Sequence, residues 1–179
     1  TVDPHLHRNP SLDVLFRIPA RRIAAAPAVA DWIRAEVHAP LLIGPDSESE
    51  QWVADIARRA GAPSQVLSKQ RRGDRDVSVS LPDPEGAQGR TPVIVDDIVS
   101  SGRTLIETLH QLEQLGLSNA ICIATHAVFA DDAYEQLLAA GAARVISTDS
   151  IPHLSNAISV APLVAIAANA LFDSDTDHR

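Results

Sequence analysis

Two aspartates and the hydroxyl residues that follow them form the group with the clearest chemical capacity in this sequence. Asp96 and Asp97 follow an apolar run that begins at Val93, and residues 100–104 then read Ser-Ser-Gly-Arg-Thr before an amphipathic helical pattern. Carboxylates accept hydrogen bonds from sugar hydroxyls, whereas a helix N-terminus offers unpaired N–H groups and partial positive charge to a phosphate. The combination predicts a site for a ribose phosphate.

Residues 100–104 form the turn that is predicted to bind the phosphate. Ser100, Ser101 and Thr104 add hydroxyl donors, Gly102 lets the backbone approach an anion closely, and Arg103 belongs to the same turn into the helix. The segment is not a Walker loop, because the chain has no G-x-x-x-x-G-K-[ST] pattern. An ordinary helix N-cap behind an exposed acidic strand end is the alternative interpretation.

A concentrated basic segment lies upstream, at residues 69–77, KQRRGDRDV. It contains Lys69, the single lysine among fifteen lysine and arginine residues, in a chain of formal net charge −8. A lysine presents a compact, mobile ammonium group that the planar guanidinium of arginine cannot imitate. Gly73 and the polar run that follows it suit a hinge or lid; the alternative is a solvated basic hairpin.

A second acidic position follows an earlier apolar run. Asp46 lies at the end of LLIGPD, residues 41–46, and is the best carboxylate candidate for Mg²⁺, which prefers hard oxygen ligands and keeps several waters. Glu48, close behind it, also suits the first turn of a helix. His126 follows another apolar run, and we expect it to pack or form hydrogen bonds rather than to act in catalysis.

The pattern from Leu41 onward alternates between strand-like runs and helical periods, which predicts βαβ units and a mainly parallel sheet flanked by helices. Ligands of such sheets bind beyond the carboxyl ends of the strands. We therefore expect Asp46, Asp96–Asp97, Thr125–His126 and Thr148–Asp149 at one rim. Strands are predicted at 41–46, 64–68, 93–97, 120–129 and 143–148, and helices at 28–37, 49–59, 104–115, 131–140 and from ISVAPL to about Leu171.

Composition excludes several classes of protein. A net charge of −8 argues against general affinity for nucleic-acid backbones. The apolar runs are too short for a membrane span or contain helix breakers, and no secretory signal pattern opens the chain. The single Cys122 can form no intrachain disulfide. These features predict a cytoplasmic protein with no nucleic-acid or membrane partner.

The chain resembles a known family in several segments that occur in the same order. The segment VIVDDIVSSGRT looks like the phosphoribosyl diphosphate motif of the type I phosphoribosyltransferase fold. The remaining matches are to the ribose-phosphate diphosphokinase family, and they run from Thr1 to about Leu171. They are TVDPHLHR, LLIGPDSESEQWV, LSKQRRGDRDVSVSL, CIATHAVF, STDSIP and ISVAPLVA.

The resemblance implies transfer of a diphosphoryl group from ATP to ribose 5-phosphate, with Mg²⁺, in a homo-oligomer. It implies Lys69 and Arg71 as the catalytic cations and the segment from Asp96 to Thr104 as the ribose 5-phosphate site. It further implies His5, Asp46 and Ser47 at the ATP diphosphate, with His5 and Asp46 near the metal. Ser47 and its neighbours stand where many relatives carry glycines.

The resemblance also implies that the chain corresponds to the second half of the family's usual length. We expect residues 1–40 to be an attachment to a missing N-terminal domain, 41–172 to be the phosphoribosyltransferase-type domain, and 173–179 to be a flexible tail. Two other functions remain open at this point. One is a salvage phosphoribosyltransferase, and the other is a non-catalytic regulatory homologue that binds ribose phosphates.

Overall fold

The computed structural model describes residues 1–6, 11–46, 49–72 and 76–176, with backbone alone for 68–72, 76–79 and 173–176. Its strands are β1 (Pro40–Gly44), β2 (Ser64–Val66), β3 (Ser68–Arg72), β4 (Asp76–Ser80), β5 (Thr91–Val99), β6 (Ile121–Ala127), β7 (Arg144–Thr148) and β8 (Asn156–Ile158). Its helices are α1 (Ala26–Glu36), α2 (Glu50–Ala60), α3 (Pro84–Ala87), α4 (Arg103–Gln114), α5 (Ala133–Ala139) and α6 (Ala161–Thr176).

Six strands form one sheet in the order β2-β1-β5-β6-β7-β8, and every neighbouring pair is parallel. The predicted α/β class is therefore confirmed. The remaining strands, β3 and β4, form a separate antiparallel ribbon. Buried Leu67 and Leu81 flank this ribbon and fasten both of its ends to the core.

The sheet has a packed core on each face, as a parallel sheet flanked by helices requires. Consecutive residues of one strand point to opposite faces, so Val93 and Val95 pack with α1 and α2, whereas Ile94 packs with the α4 side. Cys122 follows the same rule on β6, where burial raises its thiol pKa to about 12. The cysteine is thus an unreactive core residue.

Several element boundaries differ from the sequence predictions, and three of the differences concern strands or helices discussed below. The strand predicted at 93–97 does not end at the aspartates. The observed strand β5 begins at Thr91 and continues through both aspartates to Val99. The strand predicted at 64–68 is β2, which ends at Val66, while Ser68 begins β3. The last helix continues beyond Leu171 to Thr176.

Helix α1 contributes to the main core although it precedes the boundary predicted at residue 40. Its residues Val29, Ala30 and Ile33 are fully buried in the same cluster as the strands β1, β5 and β6. Pro27 lies in its first turn, where a missing N–H costs nothing. The attachment of residues 1–40 to a further domain stays a prediction.

Helix α6 is apolar, yet no side chain described in it is buried, and Ile166 is 69% exposed. None of the helices in the described residues is long and apolar enough to span a bilayer.

Candidate functional site

A cleft of about 510 Å³ opens beyond the carboxyl ends of β1 and β5. Residues from separate parts of the chain line it, and they include five that the sequence singled out: His5, Asp46, Asp96, Asp97 and Thr104. The parallel order of the sheet accounts for this meeting, because neighbouring parallel strands present their carboxyl ends at one edge. Three of the predicted sugar residues and both predicted metal residues therefore line one cavity.

The acidic pair is held by its own backbone. The Asp97 N–H donates to Asp96 Oδ1 at 2.9 Å, and the Ile98 N–H donates to Asp97 Oδ1 at 2.8 Å. Burial, followed by the neighbouring charge of Asp97, raises the pKa of the Asp96 carboxyl to about 6. The charge of Asp46 acts in the same direction. Such mutual repulsion favours a cation or hydrogen-bond donors in the cleft.

His5 joins the acidic pair from the N-terminal segment. Its Nδ1 lies 2.8 Å from Asp97 Oδ2, and both side chains remain accessible, at 43% and 36% exposure. A carboxylate on one ring nitrogen is the arrangement that commonly orients metal-binding histidines. The structure thus joins two predicted subsites, the sugar site and the diphosphate site, by a direct hydrogen bond.

Asp46 lies in the turn that connects β1 to α2. The Ser49 N–H donates to Asp46 Oδ1 at 3.1 Å, and the Ser49 hydroxyl donates to the Asp46 carbonyl oxygen at 2.6 Å. These bonds close the turn and place the carboxylate at the cleft. Ser47, predicted to bind the diphosphate, lies outside the described residues, and its role stays a prediction.

The turn after β5 leads into α4 as the sequence predicted. Gly102 is the N-cap, with φ of +67°, and α4 begins at Arg103. The Ser100 carbonyl oxygen accepts a hydrogen bond from the Ala130 N–H at 3.1 Å, which ties the turn to the chain after β6. Thr104 lines the cleft, while the side chains of Ser100, Ser101 and Arg103 are exposed on the turn itself.

Gly102 is the turn residue that the backbone geometry requires. A left-handed φ costs an L-residue with a Cβ roughly 1–2 kcal/mol, and a Cβ here would lie 3.4 Å from Leu137 Cγ. We expect Gly102→Ala to lower the free energy of unfolding by about 1–2 kcal/mol in denaturant titrations. Gly102→Asn should lose less, because asparagine tolerates this region. Equal losses in both variants would contradict the assignment to backbone strain.

Lys69 and Arg71 lie on β3, in the ribbon outside the main sheet. Their backbones pair with Val79 and Val77 of β4. The alternating segment VSVSL, residues 77–81, overlaps β4, as a ribbon strand would. The predicted hinge Gly73 lies outside the described residues, and the catalytic roles of the two cations stay predictions.

The cleft also contains residues that the sequence interpretation did not assign to it. Asp3 and Arg22 come from the N-terminal segment, whose pairing of Val2 with Ile23 no sequence pattern indicated. Trp52 was identified only as an apolar position of α2, and it forms part of the cleft wall. The signal that could have placed Trp52 in the cleft was its position in the first turn of α2, directly after the turn that contains Asp46.

Two other positions expected at the rim have structural roles. His126 Nδ1 lies 2.9 Å from Ser150 Oγ, and its Nε2 lies 3.3 Å from the Asp3 carbonyl oxygen. Asp149 accepts hydrogen bonds from the Val160 N–H and the Ser159 hydroxyl, which hold its carboxyl pKa below the usual value. The expectation that His126 forms hydrogen bonds is confirmed.

Comparison with known proteins identifies the family. Residues 11–162 match the model of the phosphoribosyl transferase domain. The ribose-phosphate pyrophosphokinase of Methanopyrus kandleri is 32% identical over 173 residues, which cover 96% of this chain and 58% of that protein. That of Methanothermobacter thermautotrophicus is 32% identical over 164 residues, which cover 92% and 56%.

A solved structure gives the same fold. The phosphoribosylpyrophosphate synthetase from Mycobacterium smegmatis superposes with a TM-score of 0.76 at 24% identity, covering 97% of this chain and 58% of that one. The chain thus spans between half and two thirds of the length of these proteins. The resemblance that the motifs indicated is confirmed, and the chain belongs to the phosphoribosyl transferase domain family.

Proposed function

We propose that this chain carries the acceptor site and the diphosphate site of a ribose-phosphate diphosphokinase. The reaction moves the β,γ-diphosphoryl group of ATP to the 1-hydroxyl of ribose 5-phosphate. The observation that carries the proposal is the single cleft shared by His5, Asp46, Asp96, Asp97 and Thr104. A cytoplasmic location and a homo-oligomeric state form part of the same proposal.

The sugar is assigned to the side of the cleft formed by β5 and α4. Asp96 and Asp97 accept hydrogen bonds from the 2- and 3-hydroxyls, and the N-terminus of α4 with the hydroxyl of Thr104 receives the 5-phosphate. Ionised Asp96 is destabilised by burial and by its neighbours. Sugar hydroxyls that donate to it offset this repulsion, so the site is already complementary to a diol.

The carboxylates of the cleft fit Mg²⁺ in chemistry. Among the residues that the structure describes, no three His, Cys, Asp or Glu side chains come close enough to enclose a metal ion. Mg²⁺ tolerates this, because it commonly keeps several waters and uses one or two carboxylates with substrate phosphates. Asp46 and His5 are the residues that would hold it. The ion would neutralise negative charge on the transferred diphosphoryl group.

Lys69 and Arg71, which lie on the β3–β4 ribbon, are assigned to neutralise the same negative charge on the diphosphoryl group. The sugar 1-hydroxyl oxygen forms a bond to the β-phosphorus of ATP and releases its proton to solvent, while the bond between that phosphorus and the α,β-bridging oxygen breaks. AMP is the leaving group. Positioning and charge neutralisation account for most of the catalysis of phosphoryl transfer, so the site needs no covalent nucleophile.

Tryptophan fluorescence offers a direct test of the proposed binding site. Trp52 lines the cleft, whereas Trp32 lies 4.9 Å below the guanidinium of Arg144, away from the cleft residues. In a Trp32→Phe variant, ribose 5-phosphate should change the emission of Trp52 and shift the amide resonances of residues 96–104. Adding Asp97→Ala should weaken both responses with little change in the unfolding midpoint.

The outcomes separate the proposal from its alternatives. Amide shifts confined to residues outside 96–104 would exclude the assigned sugar site. Activity is measured in the intact enzyme, because the chain alone corresponds to part of the family's usual length and is expected to form little or no product by itself. In the intact enzyme, a salvage phosphoribosyltransferase would consume phosphoribosyl diphosphate when given a nucleobase, and a diphosphokinase would form AMP from ATP and ribose 5-phosphate. A regulatory homologue would bind the sugar phosphate and form neither product.

A further inference from the structure

Arg22 stands out in the cleft because it is the arginine that lines an otherwise acidic wall. Four carboxylates line the same cavity, those of Asp3, Asp46, Asp96 and Asp97. Both substrates of the proposed reaction are anions, which four ionised carboxylates would repel. A cation on this wall can therefore attract an anionic substrate, which the acidic residues cannot do.

The backbone at Arg22 is held by pairing with the first residues of the chain. Val2 and Ile23 form a parallel bridge, in which the Ile23 N–H donates to the Thr1 carbonyl oxygen and the Asp3 N–H donates to the Ile23 carbonyl oxygen, each at 2.9 Å. This pairing lies next in sequence to His5. Arg22 consequently stands on the same wall as the residue predicted to lie at the ATP phosphates.

The guanidinium of Arg22 is not committed to a strong partner among the described residues. Its Nη2 lies 3.9 Å from Asp3 Oδ1, which is an ion-pair distance but too long for a hydrogen bond, and the side chain is 62% exposed. The other carboxylate oxygen of Asp3 accepts the buried Ala25 N–H at 2.8 Å. The Asp3 side chain is only 9% exposed, but its hydrogen bond from the Ala25 N–H remains when the exposed Arg22 side chain turns towards a ligand.

We propose that Arg22 binds a phosphoryl group of the donor nucleotide. This inference rests on the proposed function, and it adds a substrate-binding residue that the sequence did not indicate. The planar guanidinium donates paired hydrogen bonds to phosphate oxygens, which a point charge cannot do. The donor is the substrate concerned, because the turn before α4 already supplies donors for the sugar 5-phosphate.

Arg22→Gln tests the proposal in the 179-residue chain. The variant removes the charge but keeps a polar side chain of similar reach. We expect the Kd for Mg-ATP to rise about tenfold or more and the Kd for ribose 5-phosphate to change less than about threefold, since a charged hydrogen-bond pair is lost for one ligand alone. Arg22→Lys should lie between the two, because it keeps charge without the planar fork.

Arg21→Gln is the matched control. Arg21 is the adjacent arginine, but its side chain belongs to a different, apolar groove beside α6. The Arg21→Gln variant removes one positive charge next to Arg22 in the chain, so it reports any general electrostatic effect on ligand binding. The inference requires that Arg21→Gln leave the Kd for Mg-ATP within about threefold of the parent value, measured at about 0.15 M salt.

The outcomes distinguish this inference from the proposed function. If the parent chain binds neither Mg-ATP nor ribose 5-phosphate, the proposed function fails. If the parent binds both and Arg22→Gln leaves the Kd for Mg-ATP unchanged, the inference alone is wrong. Equal weakening of both ligands, or equal effects in the Arg21 control, would show general attraction of anions and would also overturn it.

Discussion

In the intact enzyme, Lys69→Ala is expected to form AMP about 10²–10³-fold more slowly than the parent, with nearly the same Kd for ribose 5-phosphate. As the bond to AMP breaks, negative charge develops on the departing α,β-bridging oxygen and is spread over the oxygens of the transferred diphosphoryl group. A cation that meets this charge only in the transition state lowers the activation barrier without strengthening ground-state binding. Turnover is measured as AMP formed from ATP, Mg²⁺ and ribose 5-phosphate.

Two variants control this experiment. Lys69→Arg keeps the charge but changes its shape, and should recover part of the lost rate. Arg58→Ala removes a cation from the exposed face of α2, where Arg58 pairs with Asp55, and should leave turnover unchanged. A rise in the Kd of ribose 5-phosphate that matches the fall in turnover would instead make Lys69 a ground-state phosphate contact.

Lys69 lies on the β3–β4 ribbon, so the attachment of that ribbon to the core determines where its backbone lies. β3 and β4 leave the main sheet between the buried residues Leu67 and Leu81, so the ribbon is attached at both ends and excluded from the parallel layer. The Leu67 N–H donates to the Gly44 carbonyl oxygen at 2.9 Å, two residues before Asp46. The basic segment is therefore fastened beside the turn that carries the predicted metal residue.

The sequence predicted the fold well because its signals are local. Short apolar runs that alternate with helical periods specify βαβ units, and the observed sheet is parallel throughout. The main error was local as well. The strand predicted at 93–97 stops two residues too early, because backbone pairing of Ile98 with His126 and Val99 with Ala127 continues β5.

The cleft was only partly predictable, since its N-terminal wall depends on contacts distant in sequence. Asp96, Asp97 and Thr104 share one motif, and Asp46 follows a neighbouring strand, so topology alone brings them together. Arg22 reaches the cleft through a bridge between Val2 and Ile23, which carries no pattern in a single sequence. The hydrogen bond between His5 and Asp97 spans the chain in the same way.

Asp96→Asn is expected to stabilise the fold while it weakens the sugar site. Burial and the charge of Asp97 raise the pKa of the Asp96 carboxyl from 3.8 to about 6. A raised carboxyl pKa means that the folded state holds the proton more tightly than the unfolded state does. Ionised Asp96 therefore destabilises the folded protein above pH 6, and this cost disappears as the pH falls from about 6 to 4.

The sign and the size of this effect can both be measured. A shift of about two pKa units corresponds to roughly 3 kcal/mol, and partial solvent exposure reduces the expected gain to about 1–2 kcal/mol. Denaturant titrations should show that gain for Asp96→Asn over the parent at about pH 7.5 and little difference at about pH 4. Asp55→Asn is the control and should show no gain in stability. Hydrogen bonds from Arg59 and Arg58 lower the pKa of the Asp55 carboxyl in the parent, so its charge does not destabilise the fold.

Binding should change in the opposite direction, because the same charge that strains the fold attracts the ligand. At about pH 7.5, Asp96→Asn should raise the Kd for ribose 5-phosphate roughly tenfold or more, since hydrogen bonds to a charged acceptor are replaced by weaker neutral ones. The parent should lose more affinity than the variant as the pH falls through about 6, because protonation of Asp96 affects the parent alone. Protonation of the sugar 5-phosphate near the same pH weakens binding to both proteins alike. A variant that is more stable but binds the sugar as tightly as the parent would show that Asp96 accepts no hydrogen bond from the ligand.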